Sequence, residues 1–440
     1  MSSKPGASRI FLIWALFILA GFAVLGLRIT ANGREVQPVE NSTPPPTPIH
    51  YLLSNQLSDL EETRRMEKTI DLFLRQNEIR GASLAIMKDG KLVYSKGFGY
   101  ADTEDSIPTD VQHIFRIASV SKLITAAGIM KLHEEGRIQL NQKVFGPDGI
   151  LNDSLFCRFK DKRYCSVTVE HLLRHQGGFS LRRGDPMFST LDIARRMKAP
   201  LRLRLETVVA NELSYPLGYT PGQGTSYSNL GYAILSLIIE KVSGKRYETY
   251  IREEVLAPAG CFDMHLGNNR KEEHFANEVA YYETAAAEKV PAVDGSGEMV
   301  EKCNGGSDIH GLYGAGAWVA SPTELLLFVA SIDGDPTIPD ILRPETIRLM
   351  TRDQENSLPI GWMQTQDNGI WKRTGTLSGT SAIIKRQPNG YTWAFVTNTG
   401  SWRGASFTSR IDQTVERGLQ SVKAWPERDL FREAEVAVSR

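Results

Sequence analysis

The chain has 440 residues, with 51 Lys and Arg balanced by 51 Asp and Glu, and it is 41% hydrophobic and 23% charged. That length and apolar fraction describe a globular protein with a sizeable core and exclude a largely disordered one. Balanced charge leaves no electrostatic footprint for nucleic acid or an anionic membrane surface, so neither is expected as a partner.

In chain order, a short tail (1–9) carries Lys4 and Arg9 and leads into an uncharged run from Ile10 to Leu27 that closes at Arg28. The run suits a short spanning helix and exceeds the usual signal-peptide core, which predicts a transmembrane anchor, with a cleaved signal and secretion as the alternative. Arg28 and Arg34 blur the charge bias, so an extracytoplasmic placement of the bulk (periplasmic in a Gram-negative source) is an inference. The polar stretch 28–56, with Pro44, Pro45, Pro46 and Pro48, reads as a stiff tether. One folded domain is expected over 57–427, and a charged, frayed tail over 428–440.

Ser58 and Glu61 form a capping-box signature for a first helix that reaches about Asn77 and carries Met66, Ile70, Phe73 and Leu74 at helical spacing. Residues 82–88 and 91–97 read as strands of a hairpin about Asp89-Gly90, a dipeptide that tolerates positive φ. Helical spacing or Gly stops mark 119–135, 169–175, 191–197, 230–243 and 247–255. Strand character returns at 314–319, 361–363, 371–375, 381–387 and 391–397, the last two joined through Asn389-Gly390. A final amphipathic helix with Phe407, Ile411, Val415, Leu419 and Val422 ends before Pro426. Strands at both ends and helices between predict an α/β fold of the α+β type: a mainly antiparallel sheet of five or more strands, flanked by helices, with an inserted helical subdomain.

The cysteines are Cys157, Cys165, Cys261 and Cys303. An oxidising compartment would permit disulfides, with Cys157 and Cys165 closing a short loop, and four reduced thiols are the other reading. No C-x-x-C occurs, and no metal is expected on them. His171 and His175 are four apart on a predicted helix, a zinc-compatible spacing, but a structural role is the expectation.

Three short motifs could carry chemistry. In Ser119-Val120-Ser121-Lys122, a separation of three at a helix start brings hydroxyl and amine to one face, where a desolvated Lys can act on a Ser nucleophile. Alone the pattern is weak, since a Ser three before a Lys is also a capped helix with a solvated Lys. In Tyr227-Ser228-Asn229, residues two apart on an extended segment share a face, which suits proton transfer by Tyr227 and hydrogen bonding by Asn229 to Lys122 or a substrate amide. In Arg373-Thr374-Gly375, with Gly379 further on, a strand ending in Gly lets a ligand approach the backbone, where an exposed N–H could polarise a carbonyl. Neither a G-x-S-x-G elbow nor H-E-x-x-H occurs, which disfavours an α/β-hydrolase and a metalloprotease.

Together the three motifs resemble the serine β-lactamase and penicillin-binding protein superfamily, in the branch of class C β-lactamases, D-Ala-D-Ala carboxypeptidases and β-lactamase-fold esterases. The surroundings agree: Phe115-Arg116-Ile117-Ala118, His171-Leu172-Leu173-Arg174-His175 with Gly177-Gly178, Leu230-Gly231-Tyr232 and Gly314-Ala315-Gly316. The resemblance spans about Leu57 to Trp425. It implies Ser119 as acylated nucleophile, Lys122 and Tyr227 sharing general-base and general-acid work, Asn229 on a substrate amide, and an oxyanion hole from the N–H groups of Ser119 and Thr376. It implies no cofactor and a small-molecule or peptide acyl substrate: a β-lactam, a D-Ala-D-Ala peptide or an ester. A binding module that keeps the fold without turnover is the alternative. The third motif departs from the family's Lys or His at Arg373. Arginine does not give up its proton, but its fork can bind a carboxylate, which leaves an acidic substrate in view. Lys372 would face the other side of the strand.

Overall fold

The alternating strands at the two ends of the chain assemble into a single seven-stranded antiparallel sheet in the computed structural model, which describes residues 46–438. Its spatial order is Ile107–Pro108, Lys91–Asp102, Gly81–Lys88, Tyr391–Thr397, Thr380–Arg386, Trp371–Leu377 and Gln364–Thr365. The first long strand pairs with the last, Leu84 opposite Phe395, so the sheet closes only when the distant ends meet. Asp89 and Gly90 turn the first hairpin with φ of 51° and 75°.

Side-chain alternation sorts the sheet into two cores. Leu84, Ile86, Ile383 and Phe395 pack with Met66, Ile70 and Phe73 of helix Arg64–Gln76 and with Ile411 and Val415 of helix Phe407–Gln420. The intervening residues, among them Ala85, Met87, Ile384 and Val396, join a larger core on the other face with Leu123 and Ile124. Because both faces are covered, these strands are buried almost end to end.

The inserted helical region supplies that second cover. Helix Ser121–Glu134 is buried on nearly every side, and helix Asn229–Ser243 packs against it. Ser228 Oγ caps the latter by accepting from Gly231 N, and Gly244 ends it with φ 75°. A small sheet of Phe115–Arg116, Trp318–Ala320 and His265–Leu266 delivers the chain to Ser119.

Several expectations are corrected. Ser58 does not cap the first helix: it is buried, donating to Ser95 O and accepting from Ser95 N, and the helix starts only at Arg64. Residues 314–317 are not strand, because Tyr313 at φ 45° folds 310–315 into tight turns. The strand expected at 361–363 forms one step later, at Gln364–Thr365. Helices Leu205–Leu213, Pro322–Ala330 and Pro344–Thr351 carried no expectation. The tether is shorter than 28–56, since Ile49, His50 and Leu53 are buried against the body. Residues 428–438 are not frayed: helix Leu430–Val438 buries Leu430, Phe431 and Ala434, and Asp429 Oδ1 accepts from Leu92 N at 3.2 Å. All four cysteines are free thiols. The apolar run 10–27 lies outside the described residues, and among the described residues no helix is long and apolar enough to cross a membrane.

Candidate active site

The chain leaves strand Phe115–Arg116 and turns sharply at Ala118, whose φ of 49° lies in the left-handed region that alanine avoids. The turn presents Ser119 at the start of the buried helix, and Lys122 Nζ follows one turn later, donating to Ser119 Oγ at 3.1 Å. The ammonium is fully buried and has two further acceptors, Asn229 Oδ1 at 2.7 Å and Ala315 O at 2.5 Å. Burial above all, assisted by the charge of Arg373, pushes the Lys122 amine down to about 8, against the opposing influence of Tyr227 and Asp185.

Tyr227 enters from the segment ahead of helix Asn229–Ser243. Its ring stacks on His175 with centroids 4.5 Å apart, and Lys122 Nζ lies 5.0 Å from the ring centre. Burial raises the phenol, but the charges of Arg373 and Lys122 and hydrogen bonds with Lys122 and Ser119 outweigh it and bring Tyr227 down to about 8. His175 serves as a platform. Its Nδ1 accepts from Ser228 N at 3.1 Å, and burial next to Lys122 and Arg373 keeps the ring neutral. His171 Nδ1 accepts from Thr168 N at 3.2 Å, inside a helix cap.

The third motif divides its residues between the two faces of strand Trp371–Leu377. Arg373 and Gly375 share the face that meets the nucleophile turn, where a Cβ on Gly375 would sit 2.5 Å from Ile117 O and 2.8 Å from Ser119 N. Only glycine fits there. Arg373 is 1% exposed, with Nε donating to Ser119 O at 2.8 Å and Nη2 to Tyr227 Oη at 2.9 Å. The fork expected to meet a substrate carboxylate is therefore turned inward and already engaged. Lys372 lies on the opposite face, 3.3 Å from Asp412 Oδ2.

The backbone of the same strand provides the donors. Lys372 O accepts from Met363 N on the outer edge, and strand periodicity points the N–H groups of Thr374 and Thr376 to that same edge. Among the described residues no strand pairs with that edge beyond Lys372, which leaves the Thr376 N–H facing the cleft beside Ser119. The cleft has a volume of about 250 Å³, and Ser119, Tyr227, Asn229, Thr374, Gly375 and Thr376 are among the residues that line it.

Asp185 gave no functional signal in the sequence. Its Oδ1 accepts from Met187 N in an ordinary capping turn, while Oδ2 accepts from Asn229 Nδ2 at 2.7 Å. Asn229 thus spans Lys122 and Asp185, and its carbonyl is held on the lysine rather than on a substrate amide. A clue was available only in the Asp-Pro turn, which reads as a helix cap.

An antiparallel sheet covered by helices, with a serine at the start of a buried helix and the other two motifs around it, defines the β-lactamase fold. The Beta-lactamase family model matches residues 66–413, and the chain belongs to that family. It is 30% identical over 220 residues to Penicillin-binding protein 4* of Bacillus subtilis (strain 168), covering 50% of this chain and 45% of that protein. It is also 30% identical over 201 residues to Protein flp of Staphylococcus aureus (strain N315), covering 45% and 37% respectively. The chain thus spans less than half the length of these curated relatives. Among solved structures, D-amino acid amidase from Ochrobactrum anthropi SV3, complexed with L-phenylalanine amide, superposes with a TM-score of 0.64 at 22% identity, covering 83% of this chain and 99% of that one. EstCE1, a hydrolase with promiscuous acyltransferase activity, gives 0.63 at 18% identity, covering 83% and 98%. These two likenesses show the fold.

Proposed function

We propose that the protein cleaves an ester or amide through a covalent acyl-serine intermediate on Ser119. Ser119 Oγ attacks the carbonyl carbon while its proton passes to the Lys122–Tyr227 pair, which then protonates the leaving group. The oxyanion is held by the N–H groups of Ser119 and Thr376, and water, deprotonated by the same pair, releases the acid. One observation carries this reading. Two groups with ordinary values near 10 sit against a single serine hydroxyl, and their surroundings bring both to about 8, where a base is available near neutral pH. The amidase and hydrolase named among the structural neighbours support the choice of acyl transfer.

The test is covalent. Incubation with a fluorescent penicillin and with a reactive fluorophosphonate should leave at least one adduct on Ser119, seen by intact mass, and Ser119→Ala should remove it together with esterase activity. An unmodified mass with every reagent would show a binding module instead. Tethering of this domain outside the cytoplasm by the apolar run 10–27 belongs to the same proposal. Protease accessibility in intact cells checks it, and protection of the domain would refute it.

A further inference from the structure

We infer that this cleft accepts uncharged esters or amides with an apolar acyl group and rejects donors that carry a carboxylate close to the scissile carbonyl; this rests on the hydrolase reading above. Among the described residues, none that lines the cleft carries a full positive charge. Its apolar walls include Phe188 and Leu312 from the helical region and Met363 and Leu377 from the sheet side. Phe188 and Met363 are 48% and 40% exposed, large apolar side chains left in water at the mouth where a substrate would cover them.

The nearby cations are committed elsewhere. Lys122 has three acceptors and no exposure. Arg373 is turned beneath the serine, and its remaining nitrogen, Nη1, has no partner but is sealed from solvent, out of reach of a ligand in the cleft. Arg183 pairs with Glu212 and lies over Tyr215, while Arg403 lies over Trp402 and lines a separate pocket. Behind the cleft wall the charges of Lys122 and Arg373 are already spent on protein partners, and Asp185, which holds Asn229, opposes them and repels a second carboxylate. A donor carboxylate entering the cleft would therefore lose water and find no cation in the lining to form a direct ion pair. The same physics favours release. Acyl transfer breaks the donor C–O or C–N bond, water then breaks the Ser119 Oγ–C bond, and the product acid ionises in a cleft with no cation in its lining.

The experiment compares kcat/KM of the full chain for p-nitrophenyl pentanoate, p-nitrophenyl hydrogen glutarate and the methyl ester of that glutarate. The two neutral esters should agree within about threefold and exceed the acid by about 30-fold or more, the loss expected for an unpaired charge in a site without a cation. Met363→Lys, which adds a cation at the mouth, should raise turnover of the acid by about threefold and narrow the gap. Equal turnover of acid and neutral esters, still abolished by Ser119→Ala, would overturn the selectivity while leaving the hydrolase reading intact. No Ser119-dependent turnover of any of the three, with no adduct, would overturn both.

Discussion

Arg373 with Tyr227 and Arg116 with Tyr281 are the same two side chains brought together in two regions, and the arginines are equally buried, at 1% and 0% exposure. At the second pair the guanidinium donates to Cys303 O and Asn268 O and lies 4.0 Å above the Tyr281 ring, while the phenol donates to Glu278 Oε1 at 2.9 Å and accepts the Arg116 backbone N–H at 2.7 Å. Burial, reinforced by the Glu278 charge, pushes Tyr281 well above its ordinary value. At the first pair the guanidinium meets the phenol oxygen edge-on, Lys122 stands beside it, and the phenol falls to about 8. A buried arginine therefore does not by itself make a tyrosine acidic. The group that meets its oxygen decides whether the proton is held or lent.

The contrast can be broken by experiment. Tyr227→Phe should lower kcat/KM by about 10² to 10³-fold, the usual worth of a positioned acid–base group, with little change in thermal midpoint. Tyr281→Phe should do the reverse. It leaves Glu278 and the Arg116 N–H short of a partner and should cost about 1 to 3 kcal/mol in denaturant unfolding, with kcat/KM per folded molecule within about threefold. Equal catalytic losses in the two variants would end the distinction.

The pH profile sharpens it further. Lys122 and Tyr227 are both lowered, so the base form grows as pH rises, and kcat/KM should climb toward about 8 and then level. Arg373 lowers both groups. Arg373→Met should therefore displace the rising limb to alkaline pH and cost about tenfold near pH 7.5, and an unmoved limb would remove Arg373 from the tuning. Asp185→Asn acts with the opposite sign, because the Asp185 charge raises Lys122. Its limb should move to acid pH with a change in plateau rate of only about threefold, read in the same profile.

Much of this was legible in the residues. Three motifs located Ser119, Lys122, Tyr227 and Asn229 at the helix start and loop where the structure assembles them, because short-range periodicity fixes which side chains share a face. What periodicity cannot show is what lies opposite. The strand pattern put Arg373 and Gly375 on one face but not that this face meets the nucleophile turn, so a fork expected in the cleft is instead spent beneath it. Asp185 was hidden because an Asp before Pro looks like a cap, and it is one; its second oxygen acts only through a partner 44 positions away. Ser58 was misread for the converse reason, its hydroxyl being claimed by Ser95 rather than by its own helix.

Helix Leu430–Val438 has a practical consequence for anyone handling this protein. It lies against strand Lys91–Asp102 and against the turn Ile49–Leu52, so the last described stretch of chain covers the first. A gene trimmed at Glu427, where charge density suggests a dispensable end, would yield protein with a raw apolar patch and an orphaned Leu92 amide, prone to self-association. Extending the reading frame through the helix, and placing purification tags beyond it, preserves that cover.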